Sequence, residues 1–115
     1  MPPPPAVPEI DPVEASRRVR HGAVLLDVRE PDEWTAGHAP AALHLPLGQL
    51  APGRADLPRD RPVVVVCRVG ARSARAVQAL RAWGYDATNL AGGMQAWAAA
   101  GLDLARDDGG TPEVA

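Results

Sequence analysis

Residues 63–73 read Val63-Val64-Val65-Val66-Cys67-Arg68-Val69-Gly70-Ala71-Arg72-Ser73. The four valines are β-branched and favour extended backbone. They do not alternate with polar residues, so both faces of the strand need cover, as in the middle of a parallel sheet. Downstream, from about Ser73 to Trp83, the period changes to that of a helix. Ala76, Val77, Leu80 and Trp83 share one face, and Arg75, Gln78 and Arg81 line the other. Gly84 is placed to close that helix as a left-handed cap. A buried strand that enters a helix through a short glycine-containing loop is half of a βαβ crossover.

On either side the same alternation continues. Asp11-Pro12-Val13-Glu14 carries a helix start, with Asp as cap and Glu three residues later, for a helix running to about Arg20. Val24–Val28 is a short apolar run suited to a buried strand. Pro31–Ala36 reads as a short acidic helix stopped by Gly37. Leu43–Leu47 reads as a brief edge strand, because Pro46 cannot donate to a ladder. Ala87–Leu90 is the next strand, and Gly92-Gly93 opens a last helix bearing Met94 and Trp97. The order predicts a small three-layer α/β fold, a central parallel sheet with helices on both faces and right-handed crossovers. Ligands of such sheets bind at the carboxyl ends of the strands, where Asp27 and Cys67 both fall.

Composition bounds the function. At 115 residues and 12.0 kDa the chain is one domain. A hydrophobic content of 46% with 23% charged residues excludes a wholly disordered chain. The single Cys excludes an intramolecular disulfide and a multi-cysteine zinc site. The three His are scattered and make no metal site with it. A net charge of −2 gives no reason to expect nucleic acid as a partner. The basic residues are all Arg, which we read as a matter of composition. Residues 1–8 are Pro-rich and read as a disordered tail, 9–104 as the domain, and 105–115 as a flexible tail. The start lacks the basic and apolar regions of a secretory signal, and no apolar run reaches the roughly 20 residues that span a bilayer. The expectation is a cytoplasmic protein that contacts no membrane and keeps its thiol reduced.

The loop after the valines concentrates the chemistry. Successive backbone N–H groups from Arg68 to Ser73 can converge as an anion-binding nest, and Gly70 permits the turn. The N-terminus of the following helix adds partial positive charge, and Arg68 and Arg72 add full charges. Each favours the Cys67 thiolate over the thiol. The plain alternative is a buried structural Cys, but the coincidence of loop, arginines and helix start favours a reactive one. Arg72 follows Cys67 after four residues, and Ser73 stands where Cys-loop phosphatases need Arg. A loop one residue shorter than theirs leaves a smaller pocket, which argues against phosphatase activity.

Four segments taken in order resemble the rhodanese-like sulfurtransferases. They are Leu25-Leu26-Asp27-Val28-Arg29 with Glu33-Trp34, Gly37-His38-Ala39-Pro40-Ala41-Ala42, the 65–74 loop, and Leu90-Ala91-Gly92-Gly93-Met94-Gln95-Ala96-Trp97. The resemblance spans about Ile10 to Leu104. It implies a five-stranded parallel sheet, no metal and no cofactor. It also implies that Cys67 takes sulfane sulfur from a small anionic donor, thiosulfate or a persulfide, and passes it from a Cys67 persulfide to a thiol or cyanide. The substrate-binding loop would be Arg68, Val69, Gly70, Ala71, Arg72 and Ser73. The alternative within the family is a sulfur carrier or regulatory module fed by a partner protein.

Supporting roles are expected of three more residues. Asp27 either pairs with Arg72 or hydrogen-bonds the loop, holding Arg72 in place, or caps the Glu30–Trp34 segment. Arg29 and Glu33 would form an ion pair near the mouth or on the surface. A basic residue often stands near the Glu33 position in two-domain members, so an acid there argues against thiosulfate as the preferred donor. His38 is expected to anchor its loop. Trp34, Trp83 and Trp97 are expected to pack, with Trp34 near enough to the mouth to line it. Gly92-Gly93 reads as close packing at a helix start rather than a phosphate loop.

Overall fold

The tetra-valine run is a strand at the centre of the sheet, and each of its four residues is buried. The structure, a computed structural model, describes residues 7–52 and 56–115. In chain order the elements are β1 (Glu9–Ile10), α1 (Pro12–Arg20), β2 (Val24–Asp27), α2 (Pro31–Ala36) and β3 (Leu43–His44). A 3-10 turn at Leu47–Gln49 leads to β4 (Val63–Val66), α3 (Ala71–Ala82), β5 (Ala87–Leu90) and α4 (Gly93–Ala99). The five strands are all parallel, in the order β1-β5-β4-β2-β3.

The valines divide between two cores. Val63 and Val65 pack with Ala76, Val77 and Leu80 of α3, whereas Val64 and Val66 pack with Ala15 of α1 and Met94 and Trp97 of α4. Helices therefore cover both faces, which is why all four positions of β4 are apolar. The three-layer α/β architecture read from the sequence is the one observed. Register brings Asp27 opposite Val66 and Asn89 opposite Val65, so Asp27, Cys67 and Asn89 share the carboxyl edge.

Some boundaries differ from expectation. β3 ends at His44, short of Pro46. α3 begins at Ala71, two residues before the expected start, so Ala71, Arg72 and Ser73 form its first turn. The stretch 105–115, read as a loose tail, has partners on the domain. His38 and Ala105 exchange backbone hydrogen bonds of 3.0 and 2.7 Å, Glu113 N donates to Ala36 O at 3.0 Å, and Val114 packs on the α1/α4 core. Its polar composition hid these main-chain contacts, which depend little on side chains. Of the Pro-rich stretch, residues 1–6 lie outside the described residues, while Pro8 O accepts from Asn89 N at 2.8 Å.

Candidate active site

Cys67 follows the last residue of β4, and its residue surface is 1% exposed. Gly70 caps α3 in the left-handed region at φ 113°, the turn that a residue with a Cβ resists. That turn aims the Gly70 N–H at Cys67 Sγ, 3.0 Å away. The Ser73 hydroxyl lies 3.2 Å from the same sulfur. From behind, α4 holds the loop: Met94 N donates to Cys67 O at 2.8 Å and Gln95 N to Arg68 O at 3.1 Å. With its carbonyls drawn back to α4, the loop presents its N–H groups to the sulfur.

Burial pushes the Cys67 thiol up. The Ser73 hydroxyl and the backbone N–H groups of Ser73, Gly70 and Val69 pull it down, and the balance lies below the ordinary thiol value. The direction agrees with the reading from sequence, but the cause differs in part. The lowering comes chiefly from hydrogen-bond donors in contact with the sulfur, with the Arg72 charge a smaller contribution.

Arg72 is not an unpaired cation. Its Nη1 and Nη2 donate to Glu33 Oε1 and Oε2 at 2.6 and 2.8 Å, a two-point fork between α3 and α2. The same Glu33 Oε1 accepts the Glu30 N–H at 3.0 Å. Arg72 therefore brings Glu33 to about 2 despite partial burial, and Glu33 raises Arg72 above its ordinary value. Arg68, Val69 and Ala71 are exposed, and no salt bridge among the described residues engages Arg68.

The expected pairings of Asp27 and Arg29 are corrected. Asp27 meets neither Arg72 nor the helix start, and Arg29 does not meet Glu33. The two pair with each other, both fully buried: Arg29 Nη2 donates to Asp27 Oδ2 at 2.7 Å and Nε to Oδ1 at 3.0 Å. Arg29 Nη2 also donates to Gly37 O at 2.8 Å, tying the end of β2 to the end of α2. Two residues apart across a strand end, these side chains can fold onto one another, a geometry that helix or strand periodicity does not reveal.

Trp34 stacks between His38 and His44, with ring centroids at 3.7 and 4.7 Å and nearly parallel planes. His38 Nε2 lies 2.9 Å from Asp107 Oδ1, and His44 Nε2 lies 2.8 Å from Arg29 O. His38 thus anchors its loop, as expected, and Trp34 packs.

With this arrangement in view, comparison with known proteins is decisive. The family model for the rhodanese-like domain matches residues 11–100. The chain belongs to this family. A protein named sulfurtransferase from Allochromatium vinosum is 40% identical over 106 residues, which cover 90% of this chain and 99% of that one. The crystal structure of a rhodanese-related protein from Thermoplasma volcanium is 30% identical with a TM-score of 0.77, covering 85% of this chain and 97% of that one. A thiosulfate sulfurtransferase from Pseudomonas aeruginosa superposes with a TM-score of 0.79 at 26% identity over 95% of this chain, which spans 21% of that longer protein.

One residue of this rhodanese-like site escaped the sequence reading. Asn89 of β5 is fully buried, and its Oδ1 lies 2.6 Å from Ser73 Oγ. Its Nδ2 donates to Glu9 Oε2 at 3.0 Å and to Gly70 O at 3.1 Å. The available signal was a polar pair, Thr88-Asn89, inside a strand next to the one that carries Cys67.

Proposed function

We propose that this rhodanese-like domain is a sulfurtransferase that works through a Cys67 persulfide. The observation that carries the reading is the position of Cys67 Sγ, a buried sulfur facing the Gly70 N–H and the Ser73 hydroxyl. The sulfurtransferase name of a relative matched along nearly its whole length supports it.

The Cys67 thiolate attacks the outer sulfur of the donor. A sulfur–sulfur bond to Sγ forms, and the donor's own bond to that sulfur breaks with its electron pair. The leaving group is sulfite from thiosulfate, or a thiolate from a persulfide. An acceptor, a thiol or cyanide, then attacks the outer sulfur and returns Cys67 as thiolate. The backbone N–H groups of the 68–73 loop solvate charge that develops at the sulfurs, and Arg68 attracts the anion. Arg72 serves mainly as a strut, since Glu33 neutralises it. With that cation paired, we favour a persulfide over dianionic thiosulfate as donor. A reducing compartment such as the cytosol suits the lone thiol.

Intact mass measurement after incubation with thiosulfate or glutathione persulfide tests this. The expected product is one added sulfur atom, removed by cyanide and absent in Cys67→Ser. The absence of an adduct from either donor and from a persulfidated donor protein would sink the proposal. Loading from the donor protein alone would identify the carrier form of the same chemistry.

A further inference from the structure

We propose that Asn89 is a positioning residue that competes with Cys67 for the single proton of the Ser73 hydroxyl and so restrains ionisation of the thiol. Asn89 has its orientation set from one side, because its Nδ2 faces two groups that only accept, Glu9 Oε2 and Gly70 O. Its Oδ1 therefore points at Ser73 Oγ, 2.6 Å away, and only the hydroxyl hydrogen can lie between them. Ser73 Oγ has three candidate acceptors, the others being Gly70 O and Cys67 Sγ, both at 3.2 Å. One proton cannot satisfy all three.

The neutral thiol resolves this competition. Its S–H donates to Ser73 Oγ, and the Ser73 hydroxyl donates to Asn89. When the thiol proton leaves to water, the sulfur needs donors in its turn. If the hydroxyl swings to the thiolate, Ser73 Oγ and Asn89 Oδ1 face each other with no hydrogen between them. Cys67, Ser73 and Asn89 are each at most 1% exposed, so solvent does not replace the lost partner. Around the sulfur, Arg68 comes from the loop, Arg72 from α3 with Glu33 of α2 bound to it, and Glu9 of β1 lies behind Asn89. None of these supplies a proton to the gap.

The inference deepens the proposed function and rests on Cys67 being its reactive thiol. A persulfide carries its charge on the outer sulfur, so the inner sulfur no longer calls on Ser73. Asn89 thereby favours the loaded site over the empty thiolate.

The test titrates the thiol itself, with no sulfur donor present, so its outcome is independent of transfer. Thiolate absorbance and the pH dependence of iodoacetamide alkylation are measured for the wild type, Ser73→Ala, Asn89→Leu and the double variant. Ser73→Ala is expected to raise the Cys67 midpoint. Asn89→Leu is expected to lower it by about half a pH unit, making alkylation below the midpoint roughly threefold faster. In the Ser73→Ala background, Asn89→Leu is expected to change nothing further. A rise or no change in Asn89→Leu, or the same fall without Ser73, overturns the proposal. If circular dichroism shows Asn89→Leu unfolded, the exposed Glu9 carries the test. Glu9→Leu, which removes an acceptor from Asn89 Nδ2, is expected to lower the midpoint more than Glu9→Gln, which removes only the charge. Equal shifts overturn the proposal.

Discussion

Glu33 and Arg72 show how one partner changes the meaning of a residue. Arg72 alone would be a full cation at the loop; gripped by Glu33 it contributes a dipole and a fixed position. Arg72→Ala leaves a partly buried carboxylate without its cation beside the site, and so is expected to raise the Cys67 midpoint. The double variant Arg72→Ala/Glu33→Ala is expected to recover most of that shift in a thiolate titration. Additive effects would contradict the strut role. The pair also has a pH signature. Glu33 is lower in the fold, at about 2, than in the unfolded chain. Its stabilisation is therefore complete above the ordinary Glu value of about 4.3 and is lost as pH falls from there through the folded value. Urea melts of wild type and Glu33→Gln are expected to converge over that range, and a constant gap would refute the assignment. Glu33 and Arg72 were each legible in the sequence as candidates only. Their pairing was not, because 39 positions separate them and only the packing of α2 beside α3 closes the distance.

Among the elements, the contact between α4 and the Cys67 loop matters most. A Cβ on Gly93 would lie 2.5 Å from Cys67 O and from Arg68 C and O, and the residue is held at φ 61°. The sequence predicts close packing at the Gly92-Gly93 helix start, and for Gly93 the partner is the backbone of the Cys67 loop. Gly93→Ala is expected to push α4 off the loop, at a cost of about 1–3 kcal/mol in urea unfolding. Alkylation of Cys67 at neutral pH is expected to slow as the loop N–H groups lose their aim. Unchanged stability and alkylation would show that the loop holds its shape without α4. The Asp27–Arg29 pair acts at the same scale, joining the end of β2 to the end of α2. It is a tertiary strut built from two residues that are near neighbours in sequence.

For the whole molecule, the last ten or so residues close the α2 side of the domain. Their backbone bonds to His38 and Ala36, with Val114 in the α1/α4 core, hold the segment that carries Trp34 and its two flanking histidines. Deleting residues 105–115 is expected to cost about 2 kcal/mol. That would appear as a fall of several degrees in Tm, with Cys67 titration little changed. An unchanged Tm would mean that the segment only rests on the surface.

Chain pattern alone specifies the fold class and the central strand, because four adjacent β-branched apolar residues have one stable environment, a strand covered on both sides. It also picks out Cys67 and its loop as the candidate site, because the donors that lie against Sγ are within six residues of it along the chain. The tertiary structure alone decided the partners: Asp27 with Arg29, Glu33 with Arg72, Asn89 with Ser73. Hydrophobic periodicity reports which face of an element is buried and is silent about which polar groups meet there. Those meetings depend on strand register and helix placement to within the length of a hydrogen bond, and that is fixed only once the layers pack.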